Sequence, residues 1–131
     1  MDNEHLNSGY AERRYEGPTR RYVQVLDLRD DAALVAEYRR LHARSGIWPQ
    51  VLQNIRAAGV LEMEIYLQGR RLVMICTLPE GLAWEECMAR LAVAPRQEEW
   101  ERLTARFQQT EAAGRSDAKW QMAERIFHLY E

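Results

Sequence analysis

The chain has 131 residues, enough for one domain with a single core, and its 47% hydrophobic and 29% charged residues are those of an ordinary soluble domain. With 18 basic against 20 acidic residues the net charge is −2, and the arginines are scattered among glutamates, which argues against nucleic-acid and anionic-membrane partners. No segment is long and apolar enough to span a membrane, and the polar residues 1–21 do not resemble a signal or transit peptide, so we expect a cytoplasmic protein.

The N-terminal part of the chain predicts an arm and a strand. Residues 1–20 show neither helical nor alternating periodicity, and pairs such as Gly17-Pro18 interrupt them. They predict a mobile arm, which leaves a single domain over residues 21–131. Residues 22–28 have the sequence Tyr-Val-Gln-Val-Leu-Asp-Leu, whose approximate alternation of apolar and polar side chains predicts a half-buried strand.

Two helices are predicted after this strand. Asp30 or Asp31 can cap the first, whose apolar side chains recur at helical spacing as far as Gly46. The second covers residues 48–58 and ends at Gly59, a residue type that commonly terminates helices.

An antiparallel hairpin and two further helices come next. Residues 61–68 and 71–77 are rich in Ile, Tyr, Leu and Val and flank Gly69, which favours a hairpin. Apolar residues at helical spacing then predict helices over residues 82–93 and, after Pro95, through Phe107.

The C-terminal part predicts a loop and a last strand. Small and polar residues over 112–116 indicate the loop, and residues 122–130 alternate into Ile126, Phe127 and Leu129, which predicts a closing strand. The predicted order is therefore β-α-β-β-α-β.

That order defines an α+β fold of the ferredoxin-like, split βαβ type, in which an antiparallel sheet carries its helices on one face. The other face then needs a cover. Small domains of this kind commonly pack two sheets face to face, so we expect a homodimer, with the two sheets forming a dimeric α/β barrel.

Tyr38 and His42 form the pair best suited to chemistry. Four residues apart on a predicted helix, they lie on the same face, and both can exchange or share protons near a ligand. A histidine has an ordinary pKa of about 6.5, so His42 is the strongest acid-base candidate. Either residue alone is more often structural.

The remaining aromatic and acidic residues give weaker signals. Trp48 and Trp100 could stack on a sugar ring or anchor the core, whereas Trp84 and Trp120 are interpreted as structural. The carboxylates Glu98, Glu99 and Glu101 predict a solvated helix face, unless one of them tilts inward.

Cofactor and metal motifs are absent from the sequence. It contains no glycine-rich phosphate loop, no HExxH or GxSxG string and no cysteine-histidine set with metal-ligand spacing. We therefore expect no cofactor and no metal, and we expect Cys76 and Cys87 to be buried free thiols in a reducing compartment.

The residues resemble the L-rhamnose mutarotases and related deoxyhexose mutarotases over residues 22–129. The resemblance lies mainly in Glu37-Tyr38 followed by His42, then Ile47-Trp48-Pro49, with support from the 64–67 strand, Trp100 and Ile126-Phe127. It implies a ferredoxin-like dimer that interconverts the α and β anomers of a 6-deoxy sugar, a small-molecule monosaccharide, without metal or nucleotide. By this resemblance His42 is the proton donor, and Tyr38 and Trp100 hold the sugar.

Three departures from the rhamnose enzymes touch the expected pocket. The spacing from His42 to Trp48 is two residues longer, Met63 stands where those enzymes have a sugar-contacting tyrosine, and Glu99 replaces the first of a Trp-Trp pair. The mutarotases of L-fucose breakdown look more similar at Met63 and Glu99, so L-fucose is the expected substrate, ahead of L-rhamnose.

The expected mechanism is acid-base ring opening. His42 would protonate the ring oxygen, Tyr38 would orient the sugar, Trp48 or Trp100 would line its apolar face, and Glu99 or a water would receive the second proton. The alternative is a non-catalytic ligand-binding protein or a monooxygenase on the same dimeric α+β frame, because a fold alone does not decide function.

Overall fold

The computed structural model describes residues 4–109 and 119–130. Within them lies a four-stranded antiparallel sheet of order β2-β3-β1-β4, with helices between the strands, so the predicted α+β, ferredoxin-like fold is confirmed. The elements are α1 (Glu4–Ser8), β1 (Thr19–Asp27), α2 (Ala32–Leu41), α3 (Pro49–Ala58), β2 (Glu62–Gln68), β3 (Arg71–Pro79), α4 (Trp84–Ala92), α5 (Gln97–Ala105) and β4 (Gln121–Met122).

The strand alternation divides the sheet into two faces. On β1, Gln24 and Leu26 are buried, and they pair with Met74 and Leu72 of β3, which are buried as well. These residues face helices α2 to α5 and form one core with their apolar side chains. The opposite face carries residues such as Val23, which is only half-buried.

The helix ends follow the predicted capping residues. The Asp31 carboxylate accepts hydrogen bonds from the backbone N–H groups of Ala33 at 2.9 Å and Leu34 at 3.2 Å, and so caps α2. Helix α3 begins with Pro49 directly after Trp48 and ends at Gly59, whose φ of 109° is open to glycine. The sequence expectations for these helices are confirmed, although α2 ends at Leu41, before Gly46.

Both cysteines are buried and free, as expected. Burial raises the pKa of the Cys76 thiol to about 12, and burial also raises that of Cys87. The two thiols therefore stay protonated near neutral pH, which makes them packing residues and poor nucleophiles.

The predicted closing strand over residues 122–130 is wrong for most of its length. Only Gln121–Met122 forms a strand, beside Val25 and Gln24 of β1, while Ile126 is 90% and Phe127 76% exposed. The antiparallel register would carry the tail along β1 from Val23 toward Thr19, but the pairing stops at Ala123, whose N–H donates to the Val23 carbonyl, while residues 107–109 hydrogen-bond to Asp27 and Arg29 at the opposite end of the strand. His128 is consequently exposed and outside any strand.

The N-terminal arm holds an element that periodicity did not predict, the short helix α1. Tyr10 of the arm contacts the Tyr66 ring edge-on at 5.7 Å, and the Arg13 guanidinium donates to the Leu61 carbonyl at 3.2 Å. The mobility of residues 1–20 and the start of the domain at residue 21 stay predictions, and the loop predicted over residues 112–116 lies outside the described residues.

No helix among the described residues is long and apolar enough to cross a membrane.

Candidate active site

A cavity of about 530 Å³ lies between the sheet and the helices, and it is lined from β1, β2, β3, α2, α3, α4 and α5. Its size suits a monosaccharide with some water. Its lining mixes aromatic and aliphatic side chains with an unusual number of polar ones, namely Arg13, Gln24, Tyr38, His42, Arg44, Arg56, Glu62, Gln97, Glu101, Thr104 and Gln108.

His42 lies at the end of α2, half-buried in this cavity. Its Nδ1 is 2.8 Å from the backbone carbonyl oxygen of Tyr38. Because a carbonyl only accepts, Nδ1 carries the hydrogen, and Nε2 is the nitrogen that remains for a ligand. Burial lowers the pKa of the imidazole below its ordinary value of 6.5, and the bond to the Tyr38 carbonyl partly opposes that shift.

Tyr38 stacks on His42 with ring centroids 4.2 Å apart, as their shared helix face predicts. Tyr38 is only 4% exposed, and burial raises the pKa of its hydroxyl well above the ordinary value, with the Glu101 charge adding to the rise and a hydrogen bond with Gln108 opposing it. The phenol therefore stays protonated and serves as a hydrogen-bonding group rather than a base.

An aromatic series continues from His42 through the helices. Trp100 meets His42 edge-on at 5.4 Å, Trp48 meets Trp100 at 5.2 Å, and the Arg96 guanidinium lies over Trp48 at 4.4 Å. Trp100 lines the cavity together with Met63 of β2. Trp48 does not line the cavity and contacts it through Trp100.

Glu99 does not lie in the cavity. Its half-exposed side chain accepts a hydrogen bond from Arg96 at 3.3 Å on the outer side of α5. Residues two apart on a helix point about 200° apart, so Glu99 and Glu101 lie on nearly opposite sides of α5. Glu99, which the sequence suggests as a substrate-binding residue, is therefore not brought into the cavity with His42 in this structure.

Glu101 is the carboxylate that tilts inward. It is 7% exposed and lines the cavity, with Oε1 accepting from the Gln97 amide at 2.7 Å and Oε2 lying 3.5 Å from the Lys119 ammonium. Lys119 also donates to the backbone carbonyl of Glu101 at 2.9 Å. A buried cation and an amide therefore fix the carboxylate beside the cavity.

Sequence reasoning missed a series of polar residues that runs along one face of α5 and continues into the turn that follows it. Gln97, Glu101, Thr104 and Gln108 recur at intervals of four, three and four residues, the spacing of a core-facing stripe. All four are less than 9% exposed. Polar residues at a core spacing were the signal that could have located them.

No set of three or more histidine, cysteine or acidic side chains lies close enough to hold a metal ion within residues 4–109 and 119–130. The groups present at the cavity can bind and protonate a polyhydroxylated molecule: one imidazole, two carboxylates, three guanidinium groups, three amides, and aromatic faces.

Both the sequence and the fold of this chain resemble those of known proteins. The profile of the L-rhamnose mutarotase family matches residues 21–129. An L-fucose mutarotase of Xanthomonas campestris pv. campestris is 44% identical over 111 residues, covering 85% of this chain and 89% of the relative. A UPF0734 protein of Dictyostelium discoideum is 29% identical over 89 residues, covering 67% of this chain and 70% of that protein.

The fold has a solved counterpart. The crystal structure of an L-rhamnose mutarotase from Formosa agariphila matches with a TM-score of 0.60 and 18% identity, covering 84% of this chain and 98% of that one. Fold and sequence together define a sugar mutarotase, a class of enzymes that interconvert ring anomers. The chain belongs to the L-rhamnose mutarotase family, as the sequence resemblance implied.

Proposed function

We propose that this protein interconverts the α and β anomers of a 6-deoxyhexose and prefers L-fucose to L-rhamnose. The observation that carries the proposal is His42, whose imidazole stacks on Tyr38 and meets Trp100 at the wall of a cavity of about 530 Å³. The preference for L-fucose is supported by the relative named L-fucose mutarotase, which is 44% identical.

The proposed reaction opens the sugar ring through two proton transfers. The ring oxygen gains a proton and the anomeric hydroxyl loses one, while the bond between C1 and the ring oxygen breaks and C1 becomes an aldehyde carbon. Rotation about the bond between C1 and C2 and the reverse transfers then close the ring on the other face of C1. No atom is gained or lost overall, so no co-reactant is required.

His42 donates the proton to the ring oxygen through Nε2 and takes it back when the ring closes. The hydrogen on Nδ1 is held by the Tyr38 carbonyl, which fixes the orientation of the imidazole. Because burial lowers the pKa of His42, its protonated form is a stronger acid than a free imidazolium. That favours transfer to a weakly basic ether oxygen.

Glu101, and not Glu99, receives the proton of the anomeric hydroxyl in this proposal. Glu101 lines the same cavity as His42, whereas Glu99 pairs with Arg96 outside it. Tyr38 contributes a hydrogen bond to the sugar, and Trp100 and Met63 give an apolar wall for the C–H face and the methyl group of a 6-deoxy sugar.

The substrate preference is tested by saturation transfer NMR, which measures anomer exchange directly. Exchange rates of L-fucose, L-rhamnose and D-glucose are compared with and without a catalytic amount of protein. We expect the largest kcat/KM for L-fucose and the smallest for D-glucose, whose C6 hydroxyl would meet the apolar wall unpaired. A larger kcat/KM for L-rhamnose would contradict the preference.

The rate should also depend on pH in a defined direction. If the imidazolium donates the proton, kcat/KM is fully developed below the lowered pKa of His42 and falls as pH rises through it. We therefore expect a midpoint below 6.5 for this fall. A rate that rises with pH across the same interval would assign His42 the role of a base.

We also propose that the protein acts as a homodimer, joined through the sheet face that the helices leave open. That face carries the half-buried Val23 and Ile75 and borders a broad depression of about 1090 Å³. Ile75→Glu is expected to shift the sedimentation of the chain from dimer to monomer, while Gln53→Glu, on the exposed side of α3, leaves it unchanged. A wild-type protein that sediments as a monomer would contradict the proposal.

We also propose that the protein is located in the cytoplasm, where both thiols stay reduced.

A further inference from the structure

Within the part of the chain that the structure describes, two buried side-chain oxygens at the cavity have no hydrogen-bond partner. Gln24 and Gln108 are each 2% exposed and both line the cavity, yet among the described residues nothing donates to Oε1 of either. Buried acceptors are normally paired, because an unpaired one forfeits its hydration. Two such atoms in one cavity indicate that hydrogen-bond donors of a bound molecule pair with them.

The backbone places both amides on the same face of the sheet. Gln24 is on β1 with its side chain on the core face, and Gln108 lies opposite Leu28 in an antiparallel bridge, so its side chain shares the face of Leu28. Gln24 and Leu28 are four residues apart along β1 and its immediate extension, which places their Cα atoms roughly 13 Å apart. The two amides therefore approach a cavity ligand from different ends.

Gln108 lies at the end nearer to the proposed acid. It hydrogen-bonds with Tyr38, whose ring stacks on His42 at 4.2 Å. Because no described group donates to Oε1 of Gln108, the hydrogen bond runs from the Gln108 amide nitrogen to the Tyr38 oxygen. The Gln108 oxygen therefore remains available to accept a hydrogen bond from a ligand.

Building on the proposed function, we infer that Gln24 and Gln108 are specificity residues that accept hydrogen bonds from two ring hydroxyls of the sugar. L-fucose and L-rhamnose differ in configuration at C2 and C4 only, so two fixed acceptors are enough to distinguish them. Because His42 acts at C1 and the ring oxygen, Gln108 takes the neighbouring C2 hydroxyl, and Gln24 takes the C4 hydroxyl at the other end of the cavity.

The test combines variants with deoxygenated substrates. Gln24→Met and Gln108→Met keep the side-chain length but remove the acceptor, and Gln68→Met, at the exposed end of β2, is the matched control. Each cavity variant is expected to lower kcat/KM for L-fucose by about 10- to 100-fold, mainly through KM, and the control is expected to change nothing. Gln108→Met should then treat L-fucose and 2-deoxy-L-fucose alike, and Gln24→Met should treat L-fucose and 4-deoxy-L-fucose alike.

A stability measurement separates this role from a structural one. Removing an unpaired acceptor should stabilise the sugar-free protein. Gln24→Met is therefore expected to raise Tm by about 3 °C while it lowers kcat/KM for L-fucose. A lower Tm together with an unchanged kcat/KM would show that Gln24 is structural and would overturn the inference.

The same measurements distinguish a failure of this inference from a failure of the proposed function. Normal exchange of L-fucose by both variants, with unchanged discrimination against the deoxy sugars, overturns the inference alone. No exchange of any 6-deoxyhexose by the unaltered protein overturns both.

Discussion

Replacing His42 by Asn is expected to lower the protein-catalysed exchange of L-fucose anomers by about 10²–10⁴-fold, the range attributed to a positioned acid or base. The Asn amide can still donate to the Tyr38 carbonyl that now holds Nδ1 at 2.8 Å, so the end of α2 should keep its structure. It cannot exchange a proton with the ring oxygen. Sugar binding, measured by titration, should therefore change little while kcat falls.

His128→Asn is the control for this variant, since His128 is exposed and outside the cavity. It should leave kcat and KM unchanged. Full exchange activity in His42→Asn would remove His42 from the mechanism, whatever the state of the fold.

The second large effect is expected at Glu101. Glu101→Gln preserves the shape of the side chain but cannot take the proton of the anomeric hydroxyl, so kcat should fall by about 10²-fold or more. Glu99→Gln, two residues earlier on the same helix and paired with Arg96 on its outer side, should retain kcat. The pair of variants therefore tests which face of α5 does the chemistry.

Glu101→Gln also removes the negative charge that lies 3.5 Å from the buried Lys119 ammonium, whose side chain is only 1% exposed, while the bond from Lys119 to the backbone carbonyl remains. Breaking a buried ion pair from one side commonly destabilises by about 3–5 kcal/mol, so the thermal unfolding of this variant must be followed as well. The double variant with Lys119→Met removes both charges and should recover stability without recovering kcat. A double variant that recovers kcat would show that Glu101 serves the fold and not the reaction.

The fold could be predicted from the sequence because its signals are local. The alternation of residues 22–28, the Asp31 cap and the Gly59 terminus each specify an element without reference to the rest of the chain. The last strand could not be predicted in this way. Ile126, Phe127 and Leu129 follow a strand-like pattern, but the pairing of the tail with β1 stops at Ala123 and these side chains stay exposed, an outcome that the local pattern does not contain.

The site was predicted in part, for a similar reason. Tyr38 and His42 share a helix face, so their four-residue spacing located them, and they stack in the structure. The choice among Glu98, Glu99 and Glu101 depended on the rotation of α5, which only its packing through Trp100 determines. Gln24 and Gln108 are distant in sequence, and only the sheet brings their amides to one cavity.

The central claim is that this cavity exchanges sugar anomers, and saturation transfer between the two anomeric protons of L-fucose tests it most directly. In buffer alone, irradiating one proton should leave the other nearly unchanged on the time scale of the experiment. With a catalytic amount of protein, we expect the signal of the second proton to fall, and to recover when His42→Asn replaces the wild type. Equal signals with and without the wild-type protein would contradict the claim.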